Sequence, residues 1–380
     1  MISRRRFVHL AGTALAGMAA GSLAGCGSAQ GGPTAKEKPP KEAQAPQEAA
    51  PAAPAQARPL RAGMACVAEY AGNTLAVVDL AAGTVVERLP VGQNPASLAW
   101  GAGTVFVGSS GGGELWMVPR ADATQARAVA AGNQPLGLCF DAARGRVYAA
   151  DYFLGCIHVI DAALGSVVGV MGLSPVGFHN RTDPPECCRI EPGAGRRPVS
   201  LALSPEGDLL YCANYGTYDV ARIDLATGAE REAFDGVVGP RTALVAHGGA
   251  HLLLAGVGGE EEQRVECLYV VDRQSGARVR EVPVGPGVAG VCQTPDGKAV
   301  LALSRNEGVL VALDAVTWEE RGRCTLSLGT DSLALAPDGS HVCVANSATG
   351  VLAVVNAETL EAEQRIGGLA GPKDVLVVPD

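Results

Sequence analysis

Short apolar runs, separated by Gly, Asp, Asn and Pro, recur along the chain from about residue 62 onward. Examples are LAVVD at 75–79, VARID at 220–224 and VCVAN at 342–346. Runs of this length between turn-forming residues are typical of β-strands, whereas amphipathic helices need longer stretches with a period of about 3.6 residues. The pattern therefore predicts an all-β domain.

A head phrase, first seen as PASLAW at 95–100, returns seven times, and three further predicted strands follow it in each unit. Its matching apolar positions are Leu98, Leu138, Leu201, Leu244, Val291, Leu333 and Val375. Four strands per unit of about 43 residues indicate a propeller blade, so seven heads predict a seven-bladed β-propeller. The end segments 62–92 and 369–380 hold three strands and one strand, and are expected to close the ring by forming one blade together.

Two strand–turn–strand phrases, YCANYGTYDVARIDLATG at 211–228 and VCVANSATGVLAVVNAETL at 342–360, resemble the YVTN-type (YncE-like) β-propeller repeat family. The resemblance covers residues 62–380 and implies the propeller fold. It implies no single activity, because such folds host many functions.

One interval between heads is about 20 residues longer than the others, and the extra residues lie at roughly 174–196. In a propeller, the connection from a fourth strand to the next first strand crosses one face, and the loops between second and third strands open on that same face. We therefore expect the insertion to overhang the mouth of the central channel.

Polar and aromatic residues collect on the same predicted face, which we call the channel face. Concave surfaces with a few polar groups and aromatic rings are the usual ligand sites. The alternative is that these loop residues are polar because they are solvated. The candidate ligand contacts are Tyr70, Asp151, Tyr152, Arg197, Asn214, Tyr215, Arg241 and Arg305.

The insertion contains adjacent cysteines, Cys187 and Cys188, in the segment DPPECCRI. One interpretation is a structural disulfide, formed between the two or with a nearby strand. The other is a metal or redox site, because His179 and nearby acidic residues add ligands that suit copper or zinc. No C-x-x-C or H-x-x-x-H spacing supports the metal, so we expect no cofactor, with copper or zinc here as the exception.

Eight other cysteines lie inside predicted strands, where a free thiol packs as a small apolar side chain. They are Cys66, Cys139, Cys156, Cys212, Cys267, Cys292, Cys324 and Cys343. His158 is expected to be a packed histidine, and His247, His251 and His341 are expected to form no cluster.

The first 25 residues are typical of an export signal. Arg4 and Arg5 resemble a twin-arginine pair, and LAGC at 23–26 resembles a bacterial lipobox that would make Cys26 the lipid-bearing residue. Residues 26–61 are rich in Ala and Pro, and we interpret them as a disordered tether. The folded part would then begin at about residue 62, outside the cytoplasm and anchored to a bacterial membrane on the periplasmic side or at the cell surface.

The formal net charge of −9, without a basic stripe, argues against nucleic-acid binding. The chain has no H-E-x-x-H motif and no P-loop, and a lactonase set of acid, base and arginine cannot be placed on it. We therefore expect a non-catalytic module that binds a protein, peptide, glycan or small molecule at the channel face. The alternative is an enzyme or redox protein using that face, by lactone hydrolysis or through a metal at Cys187 and Cys188.

Overall fold

The computed structural model describes residues 57–174, 195–246, 248–257 and 266–380. His179, Cys187 and Cys188, as well as the export signal with Arg4 and Arg5, Cys26 and nearly all of the tether, lie outside the described residues.

The described residues form seven four-stranded antiparallel sheets, which are the blades of a propeller. The first three strands are β1 (Met64–Glu69), β2 (Thr74–Asp79) and β3 (Thr84–Pro90). Blade 2 contains β4 (Pro95–Gly101), β5 (Thr104–Ser109), β6 (Glu114–Pro119) and β7 (Arg127–Ala130). Blade 3 contains β8 (Pro135–Asp141), β9 (Arg146–Asp151), β10 (Cys156–Asp161) and β11 (Ser166–Gly172). Blade 4 contains β12 (Pro198–Leu203), β13 (Leu209–Asn214), β14 (Asp219–Asp224) and β15 (Phe234–Asp235).

The remaining blades repeat this order. Blade 5 contains β16 (Pro240–Val245), β17 (His251–Gly256), β18 (Cys267–Asp272) and β19 (Arg278–Pro283). Blade 6 contains β20 (Val288–Gln293), β21 (Ala299–Ser304), β22 (Val309–Asp314) and β23 (Glu320–Thr325). Blade 7 contains β24 (Thr330–Leu335), β25 (His341–Asn346), β26 (Val351–Asn356) and β27 (Ala362–Ile366). The last strand, β28 (Pro372–Val377), pairs with β1 and completes blade 1.

Ring closure follows the prediction from sequence. β28 runs antiparallel to β1 with Ala65 opposite Val377 and Val67 opposite Val375, so both ends of the described domain share one sheet. The predicted seven blades of four strands are confirmed. Closure of this kind removes the open edge that a linear array of sheets would leave.

The hydrophobic core is divided into seven layers, one between each pair of neighbouring blades. The second strand of each blade is buried on both faces, which explains why most of these strands read as continuous apolar runs instead of alternating ones. Strand β1, for example, has the sequence MACVAE, and its last five residues are buried.

A short 3₁₀ helix, Ala123–Gln125, follows β6, and its N-cap Asp122 accepts a hydrogen bond from the Thr124 backbone N–H. Within the described ranges, no helix is long and apolar enough to cross a membrane.

Candidate functional site

Each blade carries an extra, unpaired residue near the start of its innermost strand. The pairing shifts by one position there, as between Pro240 and Thr242 in β16 and between Thr330 and Ser332 in β24. A bulge of this kind redirects a side chain away from the ladder. The seven bulge residues line a central cavity of about 310 Å³, and we call them the bulge ring: Ala96, Leu136, Val199, Arg241, Ala289, Asp331 and Lys373.

A second ring surrounds the first and consists of the residue that follows the second strand of each blade. In six blades its backbone N–H donates to a carbonyl just before an innermost strand, as from Tyr215 to Arg197 and from Arg305 to Gly287. We call this set the loop ring: Tyr70, Ser110, Tyr152, Tyr215, Val257, Arg305 and Ser347.

The two rings meet in one charged cluster around Asp331, whose side chain is fully buried. Lys373 Nζ lies 2.7 Å from Asp331 Oδ1 and Arg241 Nη2 lies 3.8 Å from it. Arg305 also pairs with this carboxylate, and the Ser347 hydroxyl donates to its other oxygen. Three cationic side chains therefore share one carboxylate, which leaves an excess of positive charge at the channel mouth.

Burial and repulsion between the cationic side chains both shift pKa values in this cluster. Burial opposes ionisation of Asp331, but hydrogen bonds from Lys373 and Ser347 hold its pKa below the usual range. Burial lowers the pKa of Lys373 and of Arg241, and Arg305 acts in the same direction on both. A carboxylate and three cations, all partly desolvated, would be stabilised by a second anion.

Asp374, next to Lys373, also lines the cavity and attracts the Arg241 cation, but its burial opposes ionisation. Burial raises its pKa, against hydrogen bonds from Ser332 and from the Leu98 backbone N–H, which lies 2.7 Å from Asp374 Oδ2. These bonds connect blade 1 to blades 7 and 2, so Asp374 has a structural role beneath the ring.

Aromatic side chains occupy the loop ring in blades 3 and 4. The Tyr152 and Tyr215 ring centroids are 6.4 Å apart, and the Arg197 guanidinium carbon lies 5.6 Å from the Tyr152 centroid. Arg197 is exposed and both tyrosines are half-buried. The channel face therefore joins a cationic cluster to a surface suited to rings and flat groups.

Three of the candidates named from sequence have other surroundings. Tyr70 is 40% exposed on the blade 1 loop, and its carbonyl accepts a hydrogen bond from Asn94. Asp151 and Asn214 are fully buried at the ends of their strands. The Asp151 carboxylate accepts from the backbone N–H groups of Asn133, Phe153 and Leu154, so it fixes the loop rather than facing the cavity. We leave Asp151 and Asn214 out of the site.

The two ends of the insertion are joined by a buried ionic network. Arg196, 3% exposed, pairs with Asp219 and with Glu230, whose Oε1 lies 2.9 Å from Arg196 Nη1. Glu230 Oε2 accepts from the Ser174 backbone N–H at 2.6 Å, and Arg196 donates to the Ser174 carbonyl. We call this the insertion stem. The predicted position of the insertion over the channel remains a prediction.

The eight strand cysteines are free thiols, as expected for small packed side chains. Burial raises the pKa of Cys66 to about 12 and that of Cys139 to about 11, so these two are unreactive as nucleophiles. In the part of the chain that the structure describes, no group of three His, Cys, Asp or Glu side chains is arranged to hold a metal ion.

The structure corrects one reading of the sequence. The pairing register places Ala243, not Leu244, at the blade 5 position that matches Leu98 in blade 2. His341 also has partners: Nδ1 lies 2.8 Å from the Ser340 hydroxyl and Nε2 lies 2.9 Å from Glu363. The spacing of residues along the sequence does not reveal a contact of this kind between two strands.

The segment GSSGG at 108–112 matches the G-x-S-x-G pattern of hydrolase nucleophiles. Here it ends β5 and begins a hairpin, and the Ser110 hydroxyl donates to the Asn94 carbonyl at 2.8 Å. A nucleophile elbow requires a strand-to-helix turn, so this match is structural.

No protein-family model matches the chain, and no curated protein matches it. The resemblance to YVTN-type repeats therefore stays a prediction.

Solved structures match the fold. Hydrazine synthase from Kuenenia stuttgartiensis is 16% identical, with a TM-score of 0.64, over 79% of this chain and 93% of that one. The periplasmic gluconolactonase of Pseudomonas aeruginosa is 18% identical, with a TM-score of 0.64, over 83% and 99%. A putative 6-phosphogluconolactonase from Bacteroides uniformis is 16% identical, with a TM-score of 0.63, over 84% and 100%. At such identities, the similarity shows that this chain is a β-propeller of their kind, and nothing about its ligand.

Proposed function

We propose that this protein is a membrane-anchored, extracytoplasmic propeller that binds a small anionic ligand at its channel mouth without chemistry of its own. The observation that carries the proposal is the convergence of Arg241, Arg305 and Lys373 on the single buried carboxylate of Asp331. A carboxylate or phosphate group would take up the excess positive charge with charge-assisted hydrogen bonds.

The neighbouring tyrosines indicate what else the ligand carries. Tyr215 interacts electrostatically with Arg241, the Tyr152 ring lies 6.4 Å from the Tyr215 ring, and the cavity of about 310 Å³ is at the lower end of the range for small-molecule sites. A ligand with one anionic group and one ring, such as a sugar acid or an aromatic acid, fits both features. Arg197 adds a further cation beside the Tyr152 ring.

The anchoring part of the proposal is supported by the sequence alone. The twin-arginine-like pair, the lipobox-like LAGC and the Pro-rich segment 26–61 stand in the order that an exported lipoprotein requires. In an extended polyproline conformation that segment would reach roughly 100 Å from the membrane.

Thermal stabilisation by anions tests the binding proposal. The full chain with Cys26→Ser, which removes the proposed lipid attachment site, would be melted with citrate, inorganic phosphate, gluconate and neutral glucose. A ligand at a hundred times its dissociation constant stabilises by about 2.7 kcal/mol, so anions should raise Tm and glucose should not. Lys373→Met should remove the effect.

The matched control is Lys298→Met, which removes the same charge from an exposed lysine on the opposite face, in the turn between β20 and β21. Equal anion effects in wild type, Lys373→Met and Lys298→Met would show that the stabilisation comes from general charge screening. That outcome would contradict the proposal.

Lactone hydrolysis at the same mouth is the second candidate function, and it is favoured by the two neighbours whose names describe gluconolactonases. A lactone with an anionic group would bind to the same cations. Proton release from δ-gluconolactone, compared with the spontaneous rate and with the Asp331→Asn variant, decides between the functions. Catalysis that Asp331→Asn abolishes would replace the binding module with an enzyme.

A metal or redox site at Cys187 and Cys188 remains the other alternative. Metal analysis of the purified chain, beside Cys187→Ser/Cys188→Ser, separates it from a disulfide. Stoichiometric copper or zinc that the double variant loses would move the site of chemistry to the insertion, whereas two thiols gained on reduction would identify a structural bridge.

A further inference from the structure

The outer surface of blade 3 is unusually apolar. Eleven large apolar side chains in the described ranges are markedly exposed, and six of them belong to this one blade. Four come from β11 and the turn before it, and two from the turn between β9 and β10. We call this set the blade 3 patch: Phe153, Leu154, Leu164, Val167, Val168 and Val170.

The patch extends along the full length of the blade edge. Strand β11 pairs with β10, and Cys156 at the start of β10 lies opposite Gly172 at the end of β11. The turn with Phe153 and Leu154 therefore lies at one end of β11, and Leu164 lies at the other end, just before the strand begins. Val168 is 47% exposed and Val170 is 56% exposed between them.

The other outer strands are protected by charge. Glu87 and Arg88 lie in β3, Arg127 in β7, Arg280 and Glu281 in β19, Glu320 and Arg323 in β23, and Glu363 and Arg365 in β27. By contrast, β11 has the sequence SVVGVMG, and the whole stretch 164–174 has no charged residue. Charged side chains on edge strands prevent pairing with other chains, so their absence marks a contact surface.

We propose that the blade 3 patch is the interface of a homodimer, in which two copies meet with their β11 strands antiparallel across a two-fold axis near Gly169. Around Gly169 the exposed strand is symmetric, because Val168 and Val170 flank it at equal distances, whereas Met171 is buried in the core of its own copy. An interface around a two-fold axis must be complementary to itself, and this order sets apolar residues against apolar residues in both directions.

Net charge favours the same location. Each copy carries a formal charge of −9, so two copies repel one another over most of their surface. At the blade 3 patch, two copies can approach each other without bringing like charges into contact. Outer strands lie on the rim of the ring, so the dimer leaves the central cavity open, and only Phe153, edge to face with Tyr152 at 5.4 Å between centroids, connects the patch to the channel face.

Sedimentation velocity of the full chain carrying Cys26→Ser, without detergent, tests the proposal. Wild type should show a concentration-dependent dimer, and Val170→Lys should weaken it by more than about tenfold with an unchanged Tm. Phe153→Ser, in a turn, gives a second test in case the lysine disturbs the strand. The matched control is Val279→Lys in β19, since Val279 is 58% exposed on another outer strand and should not affect the dimer.

Two results would overturn the dimer. One is a wild-type chain that stays monomeric up to about 100 µM. The other is a dimer that survives both Val170→Lys and Phe153→Ser. If the wild type is monomeric but binds phosphatidylcholine vesicles, and Val170→Lys does not, the patch contacts lipid instead of a second copy.

Discussion

Asp331 is one of three charged residues in the bulge ring, whose other four members are apolar. Four of the seven bulge-ring positions hold Ala, Leu or Val, which need no partner in a channel, whereas blades 5, 7 and 1 place Arg241, Asp331 and Lys373 there. In blade 6 the bulge-ring residue is Ala289, and Arg305 of that blade's loop ring pairs with Asp331. The channel lining is therefore charged because three of the seven blades carry a charged residue at the bulge position where the others carry an apolar one.

Replacing Asp331 by Asn should separate the two roles of the cluster. Without the carboxylate, three cations repel one another in a partly desolvated site, and unfolding free energy should fall by about 2–3 kcal/mol. Anion affinity should rise, because the excess charge grows by one. Urea denaturation and calorimetric titration of citrate measure the two effects. A variant with weaker citrate binding would mean that Asp331 itself contacts the ligand.

His158 gives a pH-dependent contribution to stability. Its Nε2 lies 3.6 Å from the buried Asp151 carboxylate and 3.7 Å from Cys156 Sγ, and stabilisation of the imidazolium by Asp151, and to a smaller extent by Cys156, raises its pKa to about 9. Because the folded-state pKa is the higher one, the stabilisation is complete below about pH 6.5, the ordinary value, and is lost as pH rises through about 9.

The Tm difference between wild type and His158→Gln measures this contribution. It should be at least about 2 °C at pH 6 and much smaller at pH 10. An equal difference at both pH values would show that His158 stabilises through packing and not through its charge.

Among the elements, the insertion stem fixes the two ends of the long connection between β11 and β12 through buried ion pairs and hydrogen bonds. Arg196, Asp219 and Glu230 join both ends of the segment to blade 4. Arg196 and Arg197 are adjacent in sequence, but burial separates their roles. Arg196 is enclosed by two carboxylates, while Arg197 is exposed over a tyrosine.

Arg196→Met should therefore be strongly destabilising. It leaves two buried carboxylates without their cation, which typically costs about 3–5 kcal/mol. Arg231→Met is the control, because Arg231 pairs with Asp224 at the surface and should contribute less than about 1 kcal/mol. Similar unfolding free energies for the two variants would refute the structural role of the stem.

The elements were largely predictable because strand boundaries depend on local apolar runs and turns, which linear sequence records. The site was predictable only in part. Arg241 and Arg305 were named from sequence as candidates on the channel face, but their convergence on Asp331 was not predicted, because it depends on a bulge and on contacts across blades. The bulge ring could have been identified by comparing the second residue of the seven heads, which in chain order is A, L, V, R, A, D and K. Asp151 shows that a polar residue beside a loop can accept hydrogen bonds from the backbone, which its position in the sequence does not reveal.

At the scale of the molecule, stability depends on closure. The core consists of seven layers between blades, and blade 1 exists only when β28 pairs with strands from the other end of the domain. Two of those layers, on either side of blade 1, include residues of β28 or of the segment just after it.

Disruption of this pairing should affect the whole ring. Val375→Asp places a charge in the layer between blades 7 and 1, where Val375 is 5% exposed. We expect loss of a single cooperative transition, which calorimetry would show as a broadened or split peak, whereas Val316→Asp at an exposed turn should melt like wild type. A single sharp transition in Val375→Asp would indicate that closure contributes little.

Bromide-soaked crystals would show whether the channel mouth binds an anion. The anomalous signal locates each bromide ion without assuming a ligand. We predict a strong anomalous peak between Arg241, Arg305 and Lys373, and we expect this peak to be absent from Lys373→Met crystals. Bromide peaks scattered over surface arginines, with none at the mouth, would contradict it.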